Sequence, residues 1–324
     1  MEDIMVSIHC ATYNHEKYIA EAIESFVMQK VNFKFEILIH DDASTDRTAE
    51  IIRKYEKKYP DLIKPIYQTQ NQRTLGNSVS KINFGRARGK YIAICEGDDY
   101  WTDPNKLQKQ VDFLESHSEC SLCVHGAYIV NAFDKKVLSQ LRPSKSSKIF
   151  TVGEVIEGGG ELFSTNSMVY PLKYAKIRPH FFDIAPVGDY PLAINLSLLG
   201  AVYYIDEFMS AYRTNVSGSW TVENSSSIEK KFKHIQQIAT MLDEVNSYTN
   251  GKYETSIIRK KNKNQFFILL EQEKFKEAKL IKYVDHSLAL IYRKRLILFL
   301  RRKFPIVLKF LKNLRRKWAQ WVLR

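Results

Sequence analysis

Between residues 4 and 95 the chain alternates β-prone runs with segments of helical periodicity. IMVSIHC (4–10), FEILIH (35–40), LIKPIYQ (62–68) and YIAIC (91–95) read as strands, the third weakened by Pro65. HEKYIAEAIESFVMQ (15–29) sets Ile19, Ala22, Ile23, Phe26 and Val27 on one helical face. AEIIRKYEKKY (49–59) reads as a second helix, capped by Ser44 or Thr45 and closed by Pro60, and GNSVSKINFGRAR (76–88) as a third. This β-α-β-α-β-α-β order predicts an α/β fold with a mostly parallel sheet and helices on both faces. Ligands bind such sheets beyond the carboxyl ends of the strands. Two of those ends carry acid pairs, Asp41-Asp42 and Asp98-Asp99, so one crevice is expected to gather them.

The second pair lies in EGDDYW (96–101). Adjacent carboxylates repel, and burying them is costly unless a cation binds. Either these acids sit in water on a loop or they hold a metal ion. Tyr100 and Trp101 are expected to lead into the next packed helix, 103–117, with Asp103 as cap and Pro104 in its first turn; Trp101 is also a candidate to border a substrate. CSLCVHGAYIV (120–130) reads as a strand and RPSKSSK (142–148) as a loop. Gly158–Gly160 should interrupt regular structure, either as a flexible hairpin or as a place where backbone approaches a ligand. VGDYPLAINLSLLG (187–200) reads as a helix with Asp189 at its start and Gly200 at its end, followed by strand AVYYI. Beyond about 225 the pattern is helical, giving two regions, 1–220 and 221–324.

The longest uncharged run, Tyr190 to Ile205, is 16 residues and holds Pro191, Asn195 and Gly200. That is short of the ~20 apolar residues a spanning helix needs. MEDIMVSIHC enters a strand directly, with no basic start and apolar core, so no secretory leader is expected. Four cysteines (10, 95, 120, 123) in 324 residues suggest reduced thiols and a cytoplasmic setting. Cys120 and Cys123, near His117 and His125, have partial zinc spacing, but the run reads better as a buried strand. The net charge of +13 is concentrated at one end: from Lys282 onward there are 13 Lys or Arg and one acid. The rest of the chain lacks the charge excess of a nucleic-acid binder, so no nucleic acid is expected.

VSIHCATYNHEKYIAEAIESFVMQ, FEILIHDDASTDRT, ARGKYIAICEGDDYWTDPNKLQKQ and VGDYPL, in that order, resemble the inverting family 2 glycosyltransferases of the GT-A fold. The resemblance covers roughly the first two thirds of the chain. It implies transfer of a sugar from a UDP-sugar donor with Mn²⁺ or Mg²⁺, in bacterial surface-polysaccharide synthesis (capsule, exopolysaccharide or lipopolysaccharide). A divalent cation stabilises a departing diphosphate as a Lewis acid, and one or two carboxylates plus phosphates suffice to hold it.

By the resemblance, Asp99 is the metal ligand, Asp98 touches ribose or sugar hydroxyls, and Glu96 lies behind them. Ala11, Thr12, Tyr13 and Asn14, with Asp42, form the nucleotide pocket; Tyr13 would stack on the base and Asp42 accept from uracil. Asp189 is the base that takes the acceptor's proton, with Gly188 where a Glu is commoner. Ser44 and Asp46 serve the turn after the second strand. Arg73, or Arg86 and Arg88, are candidates to face the diphosphate, although solvated roles are the simpler reading. Asn215 stands where relatives carry a histidine, and Trp220 is a candidate for the acceptor side.

FPIVLKFLKNLRRKWAQWVLR (304–324) puts Val307, Phe310, Leu311, Leu314, Trp318, Trp321 and Val322 on one helical face, with basic residues largely outside it. That is the pattern of a helix lying on anionic lipid. Segment 282–324 is therefore expected to meet the cytoplasmic membrane face, where a lipid-linked saccharide acceptor would be found, or else to pack on protein, including a homo-oligomer partner. Two other functions remain open: a catalytically inactive nucleotide-sugar-binding scaffold, and a nucleic-acid binder using the tail.

Overall fold

The computed structural model describes residues 3–216, 227–282, 284 and 287–303. The first four strands fall where the alternation places them: β1 (Ile4–Thr12), β2 (Lys34–Asp41), β3 (Ile63–Tyr67) and β4 (Tyr91–Ile94). Between them run α1 (Ile19–Val27), α2 (Thr48–Lys58) and α3 (Val79–Arg86). These strands pair in parallel in the order β3-β2-β1-β4. Pro65 sits in β3, at the outer edge, where its missing N–H breaks no ladder bond.

The remaining strands make the other half of the sheet mixed. They are β5 (Tyr100–Trp101), β6 (Cys120–Asn131), β7 (Val137–Leu141), β8 (Lys148–Phe150), β9 (Val169–Pro171) and β10 (Ala201–Thr214). The order continues β4-β9-β6-β10-β5, with β6 and β10 parallel and β9 antiparallel to both its neighbours. Interleaved are α4 (Lys106–Ser116), α5 (Val152–Gly158), α6 (Leu172–Ala175) and α7 (Asp189–Leu199). Of the antiparallel strands in this half, only β7 folds back on its neighbour, β6, through a short turn; β5, β8 and β9 pair with strands distant in sequence.

The two-residue period of a strand divides β4 between two cores. Tyr91 and Ala93, with Cys95 beyond, face a cluster containing Val6, Ile8, Cys10, Ile23, Phe26, Trp101 and Leu107, beneath α1 and α4. Ile92 and Ile94 face the other cluster, with Leu122, Val124, Ile194 and Leu196, beneath α5 and α7. Two later helices, α8 (Ile228–Tyr248) and α9 (Glu254–Glu271), close this second face through Ile238, Met241, Leu242, Val245 and Ile257. The far end of α9 packs Phe266, Leu269 and Leu270 against Ala278 of α10 (Phe275–Ala278) and Ile291 of α11 (Ser287–Lys303). The helical face expected at 304–324, and Trp220, lie outside the described residues.

Four local expectations are corrected. Tyr100 and Trp101 form a strand against Ser210 and Ala211, not a helix start, and Trp101 is 1% exposed, with its indole N–H on Asn166 O at 2.9 Å. It lines core, not a substrate crevice. Neither Ser44 nor Thr45 caps α2; Arg47 holds the cap position without a side-chain cap bond, and Asp46 before it accepts from Thr48 N at 2.9 Å. Asp103 accepts from Asn105 N at 2.7 Å in a turn, and α4 begins at Lys106. Gly158–Gly160 is an ordered turn: Gly158 ends α5, and Gly159 opens a 3₁₀ turn at φ 75°. The cysteines are free and buried, and His125 lies inside β6 with Nδ1 on Gly126 O at 2.8 Å. The strand reading of the Cys120–Cys123 segment therefore holds.

Candidate active site

The loops after β1 and β2 are joined to each other. Asn14 takes φ 55° and Ala43 φ 62°, so both loops turn sharply as they leave the sheet. Asn14 N donates to Ser44 Oγ at 2.9 Å, and Thr45 N to Asn14 Oδ1 at 2.8 Å. Glu16 N donates to Asp46 Oδ2 at 3.1 Å and Arg47 N to Glu16 Oε2 at 3.1 Å. Asn14, placed in the nucleotide pocket by the resemblance, thus holds the pocket's frame. Tyr13 stands beside it, 44% exposed, with its ring free to stack. Ala11 is half-buried and Thr12 buried, its hydroxyl without a partner.

Asp42 is buried and faces the following loop. Its carboxylate accepts from Gln72 N at 2.7 Å and Arg73 N at 3.2 Å. It therefore fixes the segment that carries Arg73. Of the three candidate arginines, Arg73 acts electrostatically on Glu96. Arg86 and Arg88 do not face the acids: Arg86 donates to Ile39 O and Asn83, and Arg88 grips Glu36.

EGDDYW follows β4. Gly97 is required here: a Cβ would come within 2.6 Å of Thr12 Oγ1. This contact brings the acid loop against the end of β1. The two aspartates then separate in role. Asp99 is 1% exposed, and both oxygens are taken, by Asn166 Nδ2 at 3.0 Å and Arg213 N at 2.8 Å. Asp98 is only partly buried, its side chain 14% exposed, and among the described residues its one ion-pair contact is His15 Nε2 at 3.9 Å. Burial, and then Asp98, raise the Asp99 pKa. Glu96 is exposed at the crevice, yet crowding around its carboxyl, with Asp98 and Asp189, raises its pKa. The electrostatic tie to Asp189 connects this loop with the opposite half of the sheet.

Asp189 opens α7 with Gly188 before it, so it is the first helical residue and not the cap. Its Oδ1 accepts from Tyr190 N at 2.7 Å, and Thr165 Oγ1 donates to its Oδ2 at 3.4 Å. Burial raises its pKa. It lines a pocket with Gly159, Gly160, Phe163, Met168, Tyr190 and Ala193. Gly160 lies beside it: a Cβ there would stand 4.0 Å from Oδ1, an ordinary contact.

Sequence reasoning missed two residues. Arg213 is buried between Tyr18 and Tyr100, with ring distances of 5.1 and 4.5 Å, and donates to Asp98 O and Glu21. It lies two residues before Asn215, the position where relatives carry a histidine; Asn215 itself is exposed at φ 65°. Asn166, in the small polar run after the glycines, is fully buried and accepts from Ser164 and Ser210 at 2.8 and 2.7 Å while donating to Asp99. Neither had a local pattern to reveal it.

Residues 7–168 match the family model described as Glycosyl transferase family 2. The chain belongs to glycosyltransferase family 2. An uncharacterized protein of Mycobacterium tuberculosis is 36% identical over 219 residues, 66% of this chain and 60% of its own length. An uncharacterized glycosyltransferase of Methanocaldococcus jannaschii is 34% identical, over 66% of this chain and 72% of its own. The family 2 chain thus spans about 60% of the length of the mycobacterial relative. Its fold resembles Staphylococcus aureus TarS in complex with UDP-GlcNAc, with a TM-score of 0.59, 19% identity, and 82% and 73% of the two chains covered. It also resembles a Pyrobaculum calidifontis mannosyltransferase in complex with GDP-Man and Mn²⁺, with a TM-score of 0.54, 12% identity, and 92% and 84% covered. These likenesses confirm the GT-A class of the fold.

Proposed function

We propose that the chain is an inverting glycosyltransferase moving a sugar from a UDP-sugar to a saccharide acceptor of a cell-surface polysaccharide. The observation that carries this reading is the convergence of Glu96, Asp98 and Asp189 from the two halves of one sheet. Loss of water penalises the charge of Glu96 and Asp189, repulsion from Asp98 and Asp189 adds to it at Glu96, and a cationic ligand or a proton acquired during reaction relieves that penalty. Tyr13 offers its ring to the base. The S. aureus relative, TarS, is a poly(ribitol-phosphate) beta-N-acetylglucosaminyltransferase and has a complex with UDP, which supports both the donor and the polysaccharide setting.

The donor atoms present fit Mg²⁺ or Mn²⁺, which favour carboxylate oxygen. Among the described residues no three His, Cys, Asp or Glu side chains are grouped to hold a metal ion. Two carboxylates completed by substrate phosphates are the usual protein share of such a site. The geometry favours exchanging the roles implied by resemblance: Asp98, open to the crevice, would hold the cation with Glu96, while Asp99 fixes the loop. A bound divalent ion would supply charge stabilisation to the departing diphosphate. Arg73, fixed through Asp42, adds a second positive group on that side. Asp189 takes the proton of the acceptor hydroxyl as it attacks. Its raised pKa suits a base that must hold that proton.

Residues 1–220 would carry transfer and 221–324 would place it at the cytoplasmic membrane face. Among the described residues no helix is long and apolar enough to cross a membrane. Helix α11 exposes Leu288, Tyr292 and Leu296 at four-residue spacing, with Arg293, Lys294 and Arg295 alongside, which supports an interfacial role. Assay of a nucleotide-sugar panel with and without Mn²⁺ tests the chemistry: metal-dependent turnover of a UDP-sugar is expected, and failure to bind any donor ends the enzymatic reading. Truncation after Lys282 should abolish co-sedimentation with anionic liposomes; an unchanged pellet removes the membrane role.

A further inference from the structure

Helix α9 carries three consecutive cations, Arg259, Lys260 and Lys261. The outer two are neutralised: Arg259 meets Glu157 at 3.3 Å and Lys261 meets Asp243 at 2.6 Å. Lys260, between them, reaches the end of α5 just beyond Glu157. Its ammonium lies over the glycine turn, close enough that a Cβ on Gly159 would fall 2.1 Å from Nζ. Its hydrogen bond there is a long one, to Gly158 O at 3.3 Å, and no carboxylate among the described residues reaches it as an ion pair. The Tyr190 ring centroid is 6.0 Å from Nζ. Burial and Lys263 pull its pKa down to about 8, against a weaker opposing pull from Glu161.

A largely buried ammonium without a counter-ion is costly, and an arriving anion removes that cost. The position says which molecule would bring one. Gly159 and Gly160 line the same pocket as Asp189. On the proposed function, on which this inference rests, the attacking hydroxyl occupies that pocket. A cation just across the glycine turn from that pocket is placed on the acceptor's side of the site.

We propose that Lys260 is an anion-reading point of the acceptor subsite, taking a phosphate or carboxylate carried by the acceptor saccharide across the Gly158–Gly160 turn from Asp189. The absence of side chains on the turn is part of the site, since any Cβ at Gly159 would displace the ammonium. The acceptor is thereby an acidic glycan or a sugar phosphate, and the helical region contributes directly to its choice.

The test is NMR of the full chain with its lysines ¹³C-methylated, the Lys260 signal being assigned through Lys260→Arg and Lys260→Met. UDP is added first, then glucose 6-phosphate, galacturonate or methyl glucoside. The Lys260 signal should shift saturably with the phosphate or the uronate, the stronger of the two naming the anion, and stay still with the neutral glycoside. Lys260→Met, matched in length and uncharged, should bind that anion at least tenfold more weakly; Lys260→Arg should keep binding within a few-fold. Wild-type affinity in Lys260→Met, or a Lys260 signal that answers to UDP alone, overturns the proposal. If the protein binds no UDP, the glycosyltransferase reading fails instead; if UDP binds and neither anion moves Lys260, only this inference falls. Thermal melts of both variants separate lost binding from lost fold.

Discussion

Glu36 and the acids of EGDDYW sit at opposite ends of one sheet and are treated in opposite ways. Glu36, near the start of β2, is 2% exposed and fully answered. Ser7 Oγ and Arg88 N donate to one oxygen at 2.7 and 2.9 Å, and the Arg88 guanidinium grips the other at 3.0 and 2.7 Å. At the carboxyl ends, Glu96, Asp98 and Asp189 are gathered with no such fork; the guanidinium of Arg213 reaches the backbone of Asp98 and spends its charge on Glu21. A buried acid that folding alone requires is matched within the chain. On the proposed function, acids left mutually repelling at a crevice are matched by a cation that arrives with the donor.

Five substitutions sharpen or break that contrast. The largest effect is expected at Asp189. Asp189→Asn should lower turnover by about 10²–10⁴-fold, the usual worth of a general base, with donor affinity held; turnover near wild type would remove Asp189 from the chemistry. Next come the paired aspartates. Asp98→Ala should eliminate Mn²⁺-dependent UDP binding in calorimetry while leaving the melting temperature nearly unchanged. Asp99→Ala should instead strand Arg213 N and the Asn166 amide, costing about 1–3 kcal/mol of stability. The reverse pattern would return the metal to Asp99.

Glu36→Ala belongs to the other end of the sheet. The Arg88 side chain is 59% exposed and can rehydrate, so no buried charge is orphaned. The loss is of hydrogen bonds, about 1–3 kcal/mol by denaturant melt, with UDP affinity unaltered. A change in nucleotide binding would show the two ends to be coupled. The smallest effect is a pH dependence. Glu96 is raised from 4.5 to about 7, so the folded protein holds a proton there that the unfolded chain has released. Its contribution to stability therefore falls as pH rises across that window. His9 and His125, buried and held neutral, act in the opposite direction. The measurable quantity is the difference between wild type and Glu96→Gln in metal-free protein. The wild type should lose ground to the variant between pH 4.5 and 7; a flat difference would mean Glu96 is not under that strain.

The parallel half of the fold was legible because each strand and helix there declares itself through its own period. The mixed half was less so: β5 has two residues and β8 and β9 have three, too few to show a period. The same distinction governs the site. Tyr13, Asp42, Asp98 and Asp189 lie at element ends, where local pattern marks them. Asn166 and Arg213 matter through partners 67 and 114 residues away, Asp99 in both cases, and nothing nearby in the chain signals such contacts. Within EGDDYW, which of the two adjacent aspartates turns inward is likewise decided at a distance, by Asn166 and β10.

The edge strand β3 has a consequence for how copies of this protein can meet. It is five residues long, carries Lys64, and places Pro65 in its middle. An incoming strand would find no continuous row of N–H donors along that margin. Sheet extension between molecules is thus blocked at β3, and crowding of the protein at a surface would not make this margin a template for aggregation.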